Sequence, residues 1–201
     1  MTAQLFSNKQ AGTVLIVVIV LFLAWSFPLS SEEVHATSTR GLRGTKGTVP
    51  DSYYIEGIPF FPQEDYYCGP SSLASVLNFY GMEIGQEEIA REIFLPKLKG
   101  SLTIDMLNYA KELGFKARFY KGDMADLKNN VAAGKPLILF LDLGSMIYPI
   151  RHYVMVLGFN DEHVITYSGK EKDKVYTYKR LLSAWEKTGF GTLQVMPQVN
   201  M

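Results

Sequence analysis

The pattern of apolar and polar positions divides the chain into three parts. Residues 11–27 (AGTVLIVVIVLFLAWSF) are continuously apolar and carry no charge. Residues 30–49 are polar, rich in Ser, Thr and Gly, with Arg40, Arg43 and Lys46 among them, and read as a flexible linker. From Asp51 onward the pattern becomes that of a folded domain. Residues 53–61 are predicted to form a strand that ends at Pro62. Leu73, Val76, Leu77 and Tyr80 recur at helical spacing, one face of a helix stopped by Gly81. Helices follow over residues 86–93, 103–113 and 124–133, with a strand over 115–120. The second half is strand-rich. Residues 136–143 (PLILFLDL) and 152–159 (HYVMVLGF) are apolar runs suited to buried strands. Asn160-Asp161 marks a turn, and strands are predicted over 164–167, 174–179 and 191–196, with a short helix over 181–187. Helices first and mostly antiparallel strands after them make an α+β domain.

The domain boundaries that follow are 1–29, 30–50 and 51–201. The first segment has Lys9 before it and Pro28 after its apolar core. A membrane anchor suits its length, close to the roughly 17-residue lower limit for a span. A cleaved signal peptide suits Val34-His35-Ala36, a small-residue cleavage pattern. Both readings put the domain outside the cytoplasm, either anchored to a bacterial inner membrane or periplasmic or secreted. No cysteine near the segment could carry a lipid.

Composition narrows the chemistry. Lys plus Arg equals Asp plus Glu at 20 each, which gives no electrostatic footprint for nucleic acid. The chain has one cysteine and three scattered histidines. An intramolecular disulfide is excluded, no zinc-ligand spacing is present, and no cofactor is implied.

The single cysteine, Cys68, lies in QEDYYCGPSSLASVLNFYG, immediately before a predicted helix. A thiol attacks acyl groups as thiolate, and a helix N-terminus lowers its pKa through exposed N–H groups and the helix dipole. Gly69 would let a substrate approach the backbone, and Pro70 suits a first helical turn. The alternative is a buried cysteine packing as a small hydrophobe. A nucleophile needs a base. His35 lies in the linker and His163 beside a turn, whereas His152 opens an apolar strand, where a base could be held rigidly. Gln63, five residues before Cys68, could give its side-chain N–H to an oxyanion alongside the Cys68 amide.

The stretches QEDYYCGPSSLASVLNFYG and RHYVMVLGFNDEHVITYSG together resemble the bacteriocin-processing, double-glycine leader peptidases, a family of papain-like cysteine peptidases, and in particular its stand-alone bacterial members. The resemblance covers roughly residues 58–197. It implies a papain-like fold with N-terminal helices packed on a mostly antiparallel sheet. It also implies thiol attack on a peptide carbonyl and cleavage after small residues such as paired glycines. Cys68 then matches the nucleophile, His152 the base and Gln63 the oxyanion donor. A peptide or protein is the implied substrate. The chain has no G-x-x-x-x-G-K-[ST] motif, so a transporter partner would be a separate chain.

One position departs from the family, which presents an Asp-Pro pair after the histidine strand where this chain has Ser168-Gly169. Asp161 cannot replace that carboxylate. In a hairpin turning at Asn160-Asp161 it would lie about 27 Å along the strand from His152. Ser168 and Glu171 are the residues within reach. Three readings stay open: a peptidase, an acyltransferase using the same Cys-His pair, and a membrane-tethered peptide-binding module that has lost the chemistry.

Overall fold

A computed structural model describes residues 49–145 and 147–198. The apolar segment 11–27 and nearly all of the linker lie outside the described residues. Among the described residues, no helix is long and apolar enough to cross a membrane.

Three helices come early: α1 (Cys68–Phe79), α2 (Gln86–Ile93) and α3 (Thr103–Glu112). Strand β4 (Phe115–Lys121) and helix α4 (Met124–Ala132) follow, then β5 (Leu137–Asp142), β6 (Arg151–Phe159), β7 (His163–Ser168), β8 (Glu171–Thr177), α5 (Tyr178–Glu186) and β9 (Gly191–Pro197). The strands form one antiparallel sheet in the order β4-β9-β5-β6-β7-β8. The short β1 (Tyr53–Tyr54) pairs with Phe159 and Gly158 of β6, continuing along β6 past the last β5 pair, Leu137↔Val156. The α+β order of elements expected from the pattern is therefore present.

The core explains the pattern. Leu73, Val76 and Leu77 of α1 are buried with Leu137, Leu139, Leu141, Val154 and Val156 from the two apolar strands. Burying each such side chain contributes roughly 1.5–3 kcal/mol. Helix α1 packs against β6 and α2, and α5 against β5. The turn at Asn160 forms as expected: its side-chain oxygen accepts the N–H groups of Glu162 and His163 at 3.0 and 2.8 Å.

Three expectations need correction. The strand over 53–61 shrinks to two residues, because Gly57 takes a positive φ of 78° and Pro59 and Pro62 withhold donors. The strand over 174–179 starts and ends earlier, because the Thr177 side chain accepts the Arg180 N–H at 3.3 Å and begins α5 at Tyr178. A small hairpin, β2 (Phe94–Leu95) with β3 (Gly100–Ser101), is absent from the periodicity. It closes around Lys99, which adopts a left-handed φ of 47°.

Candidate active site

Helix α1 begins at Cys68, with Tyr67 as an N-cap that offers no side-chain bond. The Ser71 N–H closes the first turn on the Tyr67 carbonyl at 2.8 Å, and the Ser71 hydroxyl donates to the Phe61 carbonyl at 2.6 Å. The cysteine is fixed from both sides of the loop that precedes it. Backbone N–H groups of Tyr153, Gly69 and Cys68 itself point at the sulfur and favour its anion. Burial outweighs them and pushes the thiol above its ordinary pKa. The helix N-terminus was expected to lower this pKa; its amides do favour the anion, but desolvation exceeds them.

Gly69 is also corrected. A β-carbon there would come within 3.2 Å of both Met106 Sδ and the Ser101 β-carbon. Its missing side chain makes room for neighbouring protein atoms of α3 and β3.

The Tyr153 contact brings β6 to the cysteine, and His152 is the preceding residue of that strand. Its place is set by the β5 ladder, where Leu141 pairs with His152 and Asp142 with Arg151. Asp142 is buried and caps the following loop, accepting the N–H groups of Gly144 and Ile150 at 3.0 and 2.9 Å. These amides and Arg151 hold its carboxyl below the usual range despite burial. His152 Nε2 lies 3.0 Å from Ser168 Oγ. Burial, with the Lys174 charge adding to it, pushes the imidazole down to about 4.

Of the two proposed orienting groups, the structure brings only Ser168 to the ring. Glu171 is exposed and its carboxylate pairs with Lys174 at 2.5 Å. Asp161 sits at the opposite end of β6, next to the Asn160 turn, as the hairpin argument required. His163 lies there too, 3.7 Å from the Glu162 carboxylate.

The loop carrying Gln63 is tied to the same place. Its backbone N–H donates to the Gly169 carbonyl at 3.0 Å. One end of its side-chain amide, Oε1, is buried without a partner. A half-turn of the amide exchanges oxygen for NH₂, so this end can serve as acceptor or donor. Two residues absent from the sequence argument support this arrangement. Gln86, 5% exposed, accepts the Glu64 N–H at 3.3 Å and donates to the Pro62 carbonyl at 2.8 Å. Tyr176, 1% exposed, places its hydroxyl 3.3 Å from Ser168 Oγ. Gln86 was visible only as a polar residue at a helix start, and Tyr176 only as an aromatic on a strand. Among the described residues, no group of His, Cys, Asp and Glu could hold a metal ion.

Cys68 thus opens α1, and His152 stands near the start of β6, the strand against which α1 packs. Residues 55–193 match the model of the Peptidase_C39 like family. The chain belongs to that family, and this region is a C39-like cysteine peptidase domain. Among solved structures, the peptidase domain of Streptococcus ComA, described as a bi-functional ABC transporter involved in a quorum sensing pathway, is 27% identical. That match covers 71% of this chain and 100% of that one, with a TM-score of 0.60. A C39-like peptidase from Bacillus anthracis is 17% identical over 75% of this chain and 100% of that one, with a TM-score of 0.61. A double glycine motif protease from an AMS/PCAT transporter, solved with its leader peptide, is 20% identical over 73% of this chain and 95% of that one, with a TM-score of 0.57. These last two show the shared fold. Comparison with curated proteins found no match.

Proposed function

We propose that the protein is a thiol peptidase that cleaves peptide substrates through Cys68 and His152. In this reading the Cys68 proton passes to His152 as the sulfur attacks the peptide carbonyl carbon. The side-chain amide of Gln63 and the Cys68 N–H hold the resulting oxyanion. The C–N bond breaks as His152 returns the proton to the leaving amine. Water, deprotonated by His152, then attacks the thioester, releasing the acid and restoring the thiol. The observation that carries the reading is the meeting of α1 with the start of β6. The Tyr153 N–H reaches the Cys68 sulfur while the adjacent His152 is anchored on buried Ser168.

The relatives' substrates suggest peptides cut after small residues, including leader peptides ending in paired glycines. The apolar segment 11–27 would hold the domain at the outer face of the membrane or deliver it beyond. A separate transporter chain is a candidate partner. Cleavage of a peptide library, with Cys68→Ala and His152→Ala as controls, tests the chemistry. Turnover lost in both variants, with an acyl adduct trapped on Cys68 by a peptidyl probe, supports it. Turnover unchanged in either variant rejects it. Products joined to added amines instead of water would identify an acyltransferase. Protease accessibility in whole cells tests the location.

A second reading, a peptide-binding module without turnover, is favoured by one observation: a serine stands where relatives place a carboxylate, beside an imidazole held neutral by burial. It predicts peptide binding that Cys68→Ala leaves intact and no trapped adduct.

A further inference from the structure

We propose that Tyr176 is a positioning residue for His152, acting through Ser168, so that a neutral Ser168–Tyr176 pair replaces the carboxylate that relatives use. The proposal rests on the peptidase reading for its purpose, and on geometry for its existence.

To act as base toward the thiol through Nδ1, the imidazole must carry its proton on Nε2, which faces Ser168 at 3.0 Å. A carboxylate can only accept, so it enforces this tautomer by itself. A serine cannot. Its hydroxyl both donates and accepts, and a proton donated to Nε2 would place the ring proton on Nδ1 instead. That tautomer is useless as a base on the Nδ1 side.

In the proposed chain Tyr176 acts as the acceptor, one of the two roles open to its hydroxyl. Its hydroxyl lies 3.3 Å from Ser168 Oγ. When Ser168 donates to Tyr176, its lone pairs are left for the Nε2 proton. The chain then runs in one direction, from His152 to Ser168 to Tyr176, and each bond polarises the next. Both partners are fixed in place. Ser168 is 5% exposed at the end of β7, and Tyr176 is 1% exposed in β8, the neighbouring strand. The pairing register shifts between Thr166 and Ser168, which resets Ser168 relative to the rest of β8. Among the described residues, the charged group acting on the imidazole is Lys174 of β8, itself paired with Glu171. It opposes charge on the ring, which increases the need for a defined neutral tautomer.

The test measures the tautomer directly, by ¹⁵N NMR of His152 in the histidine-labelled protein, alongside acylation by a peptidyl probe. In the unaltered protein the Nε2–H form should dominate. Tyr176→Phe keeps the buried ring and removes the hydroxyl. It should move population toward the Nδ1–H form and slow acylation about five-fold, the worth of one neutral hydrogen bond near 1 kcal/mol. In a Ser168→Asp background, where the carboxylate accepts unaided, the effect of Tyr176→Phe on acylation should shrink to less than about two-fold. An unchanged tautomer in Tyr176→Phe, or an equal loss in both backgrounds, overturns the proposal. The NMR readout needs no turnover, so a protein that fails to acylate rejects the peptidase reading while the tautomer still decides the role of Tyr176.

Discussion

His152 Nε2 rests 3.0 Å from the hydroxyl of Ser168, a buried neutral partner. A carboxylate would stabilise the imidazolium, and a hydroxyl does so far less. Burial, with the Lys174 charge adding to it, holds the imidazole down at about 4, and burial pushes the thiol up. Burial thus works against the charged form of both groups in the free protein.

Ser168→Asp should reverse this. An opposite charge at hydrogen-bond distance raises a histidine pKa by about 1–3 pH units. The His152 titration should move upward by that amount, followed by NMR, and small alkylating agents should react faster with Cys68 near neutrality. A titration that stays near 4 would show that burial alone sets it.

In the unaltered protein, alkylation of Cys68 by iodoacetamide should be slow near neutral pH and climb through the alkaline range, because the thiolate is the reacting form and its pKa is raised. A flat rate between about pH 5 and 8 would mean a preformed ion pair and would contradict this expectation.

Stability should fall in acid. The folded-state pKa of His152, about 4, lies below the ordinary 6.5. Between those values the unfolded chain binds more protons, so stability rises with pH across this window and is lost as pH falls through it. The contribution is at most about 3 kcal/mol. Urea melts at pH 4 and 7 should differ more for the unaltered protein than for His152→Gln, and equal differences would count against it.

Gln86→Ala removes both bonds that brace the loop around Gln63. A loss of about 1–3 kcal/mol is expected, together with faster hydrogen exchange at the Glu64 amide and a lower kcat at similar KM. Normal exchange at Glu64 would show that the loop is held by other contacts.

Gly69→Ala should destabilise the protein by about 1–3 kcal/mol despite alanine's helix propensity, because the new methyl crowds Met106 and Ser101. A rise in melting temperature would indicate that the two side chains simply shift aside.

Much of the domain was legible because its signals are local and periodic. Leu73, Val76 and Leu77 mark one face of α1, and the apolar runs at β5 and β6 mark buried strands. Residues 53–61 misled because an apolar stretch interrupted by Gly57, Pro59 and Pro62 can be buried without pairing, as Ile55 and Ile58 are. The hairpin of β2 and β3 is too short to carry a period.

The sequence by itself determined the α+β order of elements and the candidates Gln63, Cys68 and His152. It also showed that Asp161 is too far away to help His152, because distance along a hairpin can be counted. Only the tertiary structure decided between Ser168 and Glu171, placed Tyr176 behind Ser168 and turned burial against charge on both titrating groups. The register shift between Thr166 and Ser168 cannot be counted from residue spacing. Burial, which moves both pKa values, depends on every chain segment that packs around the site.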